Sequence, residues 1–474
     1  MTDLRLNSND EQPSSRLADL LAALRTQLPE NRIRTGNDIP PRHHSDWNRA
    51  DPQCPAALLQ PRNTDEVSLM MRLCHAHGQS VVPQGGLTGL VSGAEPRRQD
   101  IALSLEHLNS IEGIDGAGYM TVQSGVTLEA AQNAAEQEGY LFALDIGARG
   151  SCTIGGNIAT NAGGNRVVRY GMARQLVIGL EVVLADGTVL NMLDKVVKNN
   201  TGYDLKQMFI GSEGTLGIIT RAVLKLHPQP RSYQCALLGL PGTRNAIETL
   251  KLAHAALGGT LSAYEVMFPD FYDYIPGIAN LRQPLAPEHA IYVLLDAQGS
   301  DAGLDARRFQ SFLEELFEQG LIADAAVASS MQDAQAFWAL RDAVSELPLH
   351  IPKRSTFDVS FPLDVMEAAV QEIREQVNQR WPDALMLCFG HLGDNNLHIV
   401  VDVPGTQGRH AEDIESIVYG SVGRHNGAIS AEHGLGSKKR QHIGVTRSAA
   451  EIATMHTLKQ ALDPQGILNP GKVL

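Results

Sequence analysis

The sequence predicts a multi-domain α+β protein, and three observations carry that reading. Strand and helix patterns alternate from the N-terminal region to about Lys225, the rhythm of packed mixed layers. There a proline-bearing segment, LKLHPQPRSY, interrupts the pattern and marks a linker. Beyond it separate strand–helix units resume, and the chain closes on a helical segment with a Pro/Gly-rich tail. The expected parts are therefore 1–227, a second α+β domain over 228–415, and a C-terminal segment over 416–474.

The elements follow in order. Ser15 precedes apolar residues at Leu17, Leu20, Leu21, Leu24 and Leu28, the helical period, so a capped amphipathic helix opens the fold. The stretch AALLQPRNTDEVSLMMRLCHAHGQSVVPQGGLTGL gives a strand, a turn and a helix from Thr64 to about His77. A strand at Ser80–Pro83 and a glycine loop complete it. Past the linker, AIYVLLDAQG reads as a strand and Asp305–Gln319 as a helix. The last stretch, LKQALDPQGILNPGKVL, is a helix and then a tail.

Composition bounds the function. An apolar share of 43% and a charged share of 19% are those of an ordered globular chain. The formal net charge of −14 argues against a sequence-blind nucleic-acid binder, whose affinity rests on phosphate neutralisation. A local basic pocket for an anionic substrate stays open. The five cysteines, Cys54, Cys74, Cys152, Cys235 and Cys388, form no CxxC pair, which fits reduced thiols. No apolar run is long enough to cross a membrane, and MTDLRLNSNDEQPSS lacks the apolar stretch of a signal peptide. A cytoplasmic protein is expected.

Three glycine-rich segments lie in the first half: PQGGLTGLVSG (83–93), GARGSCTIGGNIATNAGGNRVVRYG (147–171) and GSEGTLGIIT (211–220). Glycine lets backbone N–H groups approach a ligand, and concave rows of them hold phosphate or carboxylate. None reads G-x-G-x-x-G or G-x-x-x-x-G-K-[ST], so the Rossmann fingerprint and the P-loop are both missing. Three such segments in one domain point to a large phosphate-bearing cofactor.

In the second half, LMLCFGHLGDNNLHIVVDV reads as two strands around a GDNN turn. With Asp394–Asn395 as the two turn residues, His391 pairs directly with His398, and two imidazoles so placed can share a metal ion. Cys388, three residues from His391, falls on the other face. In AISAEHGLGSKKR, Glu432 and His433 are adjacent, and both can serve one site only where the backbone turns irregularly, which Gly434 permits.

Together PQGG-x-TG, GSC-x-IGGN-x-ATNAGG, NTGYDLKQ-x-FIGSEGTLGIIT, G-H-L-G-D-x-N-L-H and S-A-E-H-G-x-G resemble the vanillyl-alcohol oxidase superfamily. The resemblance runs from about Leu58 to the C-terminus, in the branch of D-2-hydroxyglutarate and D-lactate dehydrogenases. It implies a two-subdomain FAD-binding domain over 1–227, a substrate (cap) domain over 228–415, and a C-terminal segment closing the active site. It implies FAD contacts at Pro83, Gln84, Gly85, Gly86, Leu87, Thr88, Gly89 and Leu90, the loop on the pyrophosphate. It adds Ser151, Thr153, Gly155, Gly156, Asn157, Thr160, Asn161, Glu213, Gly217, Ile219 and Asn469. Covalently flavinylated members often carry His after the paired glycines; Leu87 stands here, which implies non-covalent FAD.

The same resemblance makes His391, His398 and Glu432 the ligands of a divalent metal, usually zinc, with His433 as catalytic base. Three protein ligands leave an open position, as in catalytic sites. FWALRDAVSEL (Phe337–Leu347) matches the family helix that puts Arg341 and Ser345 on substrate carboxylates. Two departures stand out. Thr356 replaces a lysine common before the (Y/F)-D-(L/V)-S run, with Lys353 and Arg354 nearby, and Val400 replaces an asparagine after the second histidine. The implied reaction is oxidation of a D-2-hydroxy acid of the 2-hydroxyglutarate, malate or lactate class. An apolar D-2-hydroxy monoacid, and an H2O2-forming oxidase of the same fold, stay open. Electrons are expected to pass to an electron-transfer flavoprotein or a quinone, and the chain to pair as a homodimer.

Overall fold

A computed structural model describes residues 15–474. The polar stretch at 1–14 lies outside the described residues. The described residues begin with a helix, Ser15–Gln27, whose Leu20, Leu21 and Leu24 are buried as their spacing predicts. It packs on a four-stranded sheet: β1 (Ile33–Arg34), β2 (Ala57–Leu59), β3 (Val81–Gln84) and β4 (Ile101–Ser104), in the order β1-β2-β4-β3. The crossover helix Thr64–Ala76 joins β2 to β3 and keeps Val67, Met70, Met71 and Cys74 inward. Asn63 starts this helix by accepting the Glu66 N–H at 2.8 Å, a cap of the kind worth about 1 kcal/mol.

A second sheet holds β5 (Ile111–Ile114), β6 (Tyr119–Gln123), β7 (Val177–Val183), β8 (Val189–Met192) and β9 (Ile218–Lys225). Its order is β5-β6-β9-β7-β8, with every neighbouring pair antiparallel. The second and third glycine segments fold against it.

The third sheet has seven strands: β10 (Ser232–Leu240), β11 (Leu261–Met267), β12 (Ile291–Gly299), β13 (Asp324–Val327), β14 (Ser355–Ser360), β15 (Leu385–His391) and β16 (Asn396–Asp402). The order is β13-β10-β12-β11-β15-β16-β14, again antiparallel throughout. Alternate residues serve its two faces. Val266, Cys388, Leu397, Ile399 and Phe357 face one core, shared with the helices Thr243–Leu257, Ala302–Glu318, Leu363–Arg380 and Ala411–Arg424. Met267, Leu387, Phe389 and Val400 face the other, beside Phe271 and Ile275 of the helix Pro269–Ala279 and Phe337 and Leu340 of Met331–Asp342. Cys388 thus lies on the face opposite the histidines, as its spacing indicates.

Three expectations are corrected here. The β15–β16 hairpin has no two-residue turn: Leu392–Asp394 form a 3-10 turn, and Asn395 takes the left-handed position at φ 70°. The register consequently sets His391 opposite Asn396 and Phe389 opposite His398. Because the slip is two residues on one strand, the side chains keep their face. The helix expected over 337–347 ends at Asp342, with a 3-10 turn from Ala343 to Glu346. Finally, the expected 415/416 boundary falls inside the helix Ala411–Arg424, whose Ile414, Ile417, Val418 and Val422 join the same core as the sheet.

Candidate active site

The second face of the seven-stranded sheet, largely apolar, gathers charged and imidazole side chains in two adjacent cross-strand rows, apart from Asp296, which pairs with Arg166 elsewhere on it. Glu265 on β11 pairs with His391 on β15. Next, His398 on β16 pairs with Asp358 on β14. Strand alternation therefore aims all four at one layer. His391 Nδ1 and Glu265 Oε1 are 2.7 Å apart, and Arg341 Nε donates to Glu265 Oε2 at 2.9 Å. Burial opposes charge on His391, but the Glu265 carboxylate outweighs it and raises the imidazole to about 9. Glu265 is itself lowered, burial being overcome by His391 and Arg341. At His398 burial prevails, with His391 and Arg341 pushing the same way, so its imidazole is held well below its ordinary value.

Glu432 and His433 enter from a segment with no helix or strand. Two carboxylates hold it. Asp358 Oδ2 accepts the N–H of Glu432 at 3.1 Å and of His433 at 2.9 Å. Glu213, in the third glycine segment, accepts the N–H of Leu435 at 2.7 Å and of Gly436 at 2.8 Å. Between them Gly434 turns at φ 83°, and a Cβ there would stand 2.7 Å from Glu213 Oε1. This is the irregular turn that the adjacent Glu-His pair requires. Glu432 then divides its oxygens. Oε2 accepts the Gly164 N–H at 3.1 Å. Oε1 faces three imidazoles, at 3.9 Å from His391 Nε2 and 3.6 Å from both His398 Nε2 and His433 Nε2.

This donor set suits a metal. The three donor atoms of His391, His398 and Glu432 lie within 4.8 Å of one another. Ligands on a tetrahedral zinc at about 2.0–2.1 Å stand roughly 3.3–3.4 Å apart. A small inward shift of each would satisfy that spacing. Nearby, burial pushes the Asp394 carboxyl up to about 7, and its Oδ1 has no hydrogen-bond partner.

The glycine segments meet as a cradle. Any Cβ on Gly86 would fall 2.0 Å from the Ser151 carbonyl, and one on Gly85 would fall 2.6 Å from Thr153 Oγ1. Leu87 takes φ 58°, strain of the kind found where backbone clamps a ligand. Thr88 is half-buried, Gly89 and Leu90 are exposed, and Ser151 is exposed at the rim. Pro83 and Gln84 end β3, but the Gln84 amide donates to the carbonyls of His43 and Ala94 and is spent there. Thr153 precedes the short helix Ile154–Ala159, which carries Gly155, Gly156 and Asn157, and Thr160 closes it. Asn161 Oδ1 accepts the Arg174 N–H. Gly217 packs on Val182 and Phe209, and Ile219 is buried in the domain core. Asn469 donates to the carbonyls of Gly93 and Glu213, leaving a buried Oδ1 without a partner. Ser124 Oγ is a second such atom. A backbone cradle with unpartnered polar atoms fits a large polar cofactor.

Arg341 reaches the Glu265–His391 row: Nη2 lies 3.3 Å from His391 Nε2. Ser345 does not join it, being exposed and donating to the Asp342 carbonyl. Thr356 and Val400 are directly opposed on the same face, one step along from Asp358 and His398. Glu265 and Asp358 were not anticipated as site residues. Each is the one charged residue of its strand, LSAYEVM and STFDVS, the local signal that could flag them.

Comparison with known proteins adds the following. The family described as FAD binding domain matches residues 55–193, and the family described as FAD linked oxidases, C-terminal domain, matches 229–473. A Bos taurus protein named D-2-hydroxyglutarate dehydrogenase, mitochondrial, is 41% identical over 458 residues, covering 96% of this chain and 83% of its own. The Danio rerio protein of that name is 38% identical over 480 residues, covering 99% and 89%. The solved structure of p-cresol methylhydroxylase with substrate bound shares the fold at a TM-score of 0.77, with 17% identity over 97% of this chain and 96% of that one. The expected cytoplasmic location is corrected by these relatives, both named mitochondrial. Cysteines without partners do not choose between the cytosol and other reducing compartments. No helix among the described residues is long and apolar enough to cross a membrane.

Proposed function

The chain belongs to the FAD-linked oxidases of vanillyl-alcohol oxidase type, in the D-2-hydroxyglutarate dehydrogenase-like branch, and from that membership we propose a metal-assisted oxidation of a D-2-hydroxy acid. It is an FAD-dependent hydroxy-acid dehydrogenase. The finer reading adds a divalent metal, zinc by the chemistry of the donor set, on His391, His398 and Glu432. The observation that carries it is Glu432, with Oε2 tied to the Gly164 N–H and Oε1 turned to the imidazoles.

When bound, FAD supplies the hydride acceptor and the metal a Lewis acid that lowers the hydroxyl pKa. The chain's own residues do the rest. Arg341 brings a permanent cation beside His391, where a substrate carboxylate would be drawn. His433 Nε2 faces the centre and takes the hydroxyl proton. The Phe389 ring, 5.1 Å from that of His398, is buried on the apolar floor and helps keep water out. The FAD is held without a covalent bond, since Leu87 offers no nucleophile. The relatives are named dehydrogenases, which supports an acceptor other than O2, an electron-transfer flavoprotein or a quinone.

One observation favours a narrower substrate. The Thr356–Val400 pair is uncharged, and Val400 is buried in the cluster that includes Leu347 and Ile351. That environment suits a monoacid with a short or apolar side chain over a five-carbon diacid, although the relatives carry the hydroxyglutarate name. The test is anaerobic reduction of the bound flavin by D- and L-forms of lactate, malate, 2-hydroxyglutarate and longer alkyl acids. Reduction by D-2-hydroxy acids alone is expected. Reduction by the L-forms, or H2O2 release matching substrate loss in air, would sink the reading.

A further inference from the structure

Asp358 does two things at once. It is 1% exposed, sits opposite His398 in the strand register, and gathers donors onto one oxygen. Oδ2 accepts the N–H groups of Glu432 and His433, and the Ser430 hydroxyl donates to it at 3.3 Å. The Lys439 ammonium stands 3.5 Å away. The same Oδ2 lies 3.6 Å from His433 Nδ1, on the side of the ring away from Nε2, which faces Glu432 Oε1. Its second oxygen, Oδ1, is buried and has no hydrogen-bond partner.

We propose that Asp358 is the positioning residue of the catalytic base: it sets the ring orientation and tautomer of His433, besides holding the peptide that carries it. The inference rests on the proposed reading of His433 as base. A histidine acts as a base only through a nitrogen without hydrogen, and a carboxylate beside Nδ1 keeps the hydrogen there and leaves Nε2 free. As the substrate O–H bond breaks, its proton joins Nε2, and a bound flavin would accept the C2 hydride as the carbonyl forms. The ring then carries a positive charge with Asp358 behind it. The 3.6 Å separation suits an ion pair that tightens once the ring is charged.

A bare staple for two N–H groups would need an acceptor and no charge. Asparagine at this position keeps one carbonyl oxygen for those N–H groups and loses the charge. In the FAD- and metal-loaded Asp358→Asn protein, kcat is expected to fall roughly 100-fold or more. KM is expected to stay within a few-fold, with flavin and metal content measured separately and unchanged. Asp358→Glu, which restores the carboxylate, is expected to recover a substantial part of kcat. Wild-type kcat in a loaded Asp358→Asn protein would overturn the inference. If the asparagine protein fails to load, Asp358→Glu decides. Turnover recovered in a loaded Glu protein upholds the inference; turnover no better than that of His433→Ala overturns it. His433→Ala separates the two readings, because full turnover there would refute the base itself, whereas its loss together with an active Asp358→Asn would refute only the positioning role.

Discussion

Glu265 stands directly across the β11–β15 pairing from His391, and the two side chains meet at Nδ1 and Oε1, 2.7 Å apart. With the hydrogen on Nδ1, the Nε2 lone pair turns toward Glu432. A carboxylate behind a metal-binding imidazole fixes its tautomer and raises its basicity, and losing it commonly weakens metal affinity about 10- to 100-fold. Glu265→Gln is expected to weaken zinc affinity by that range in a competition titration with a chromophoric chelator. Unaltered affinity would remove Glu265 from any role at the metal. Glu265→Ala also leaves Arg341 buried without its counter-charge, which should cost about 3–5 kcal/mol in urea unfolding.

Metal removal gives a second prediction. Protein dialysed against a chelator, still holding its flavin, is expected to lose nearly all anaerobic flavin reduction by a D-2-hydroxy acid, because the Lewis acid contributes several kcal/mol to such a step. Added zinc should restore it, and His398→Ala should behave like the stripped protein even with zinc present. Full reduction after verified metal removal would refute the metal's role.

A third prediction concerns Gly163, which belongs to the NAGG run of the cofactor segment yet acts on the other half of the site. A Cβ there would stand 2.9 Å from Glu432 Oε2. Gly163→Ala is expected to push Glu432 out of place and weaken zinc binding while flavin content stays near normal. Zinc binding as in the wild type would show that Glu432 yields freely.

These residues show what the sequence could and could not reveal. The glycine segments are legible because each is a long local motif, although Gly85 and Gly86 meet Ser151 and Thr153 only through the fold. A two-residue turn puts His391 and His398 on the correct shared face, but in a register two residues from the one observed. GDNN suggests a two-residue turn, whereas Asn395 alone takes the left-handed position after a 3-10 turn. Glu265 was beyond reach, since it lies 126 residues from His391 and only the strand order β11-β15 joins them. Arg341 and Ser345, expected on one helix, part company because the helix stops at Asp342.

Acid stability offers a test away from the active site. Asp100 is 1% exposed. Burial would raise its carboxyl, but hydrogen bonds from Arg97 and Ser80 overcome it and hold the group below its ordinary value of 3.8. A carboxyl depressed in the folded state stabilises the protein above its unfolded value, and that contribution fades as pH falls through the folded one. Wild type is therefore expected to exceed Asp100→Asn in urea stability at pH 7, with the gap closing below about pH 3.8. A gap independent of pH would assign the effect to packing.

The segment from Ser430 to Gly436 has neither helix nor strand to keep its shape. Its order is on loan from Asp358, Glu213 and Gly164, which belong to separate layers of the molecule. Heat acts on such a segment early, because local opening needs far less energy than melting a sheet. On warming, turnover should therefore fail while circular dichroism still reads native, and cooling should bring it back. The upper temperature of the enzyme would then be set by seven residues, well before either core gives way.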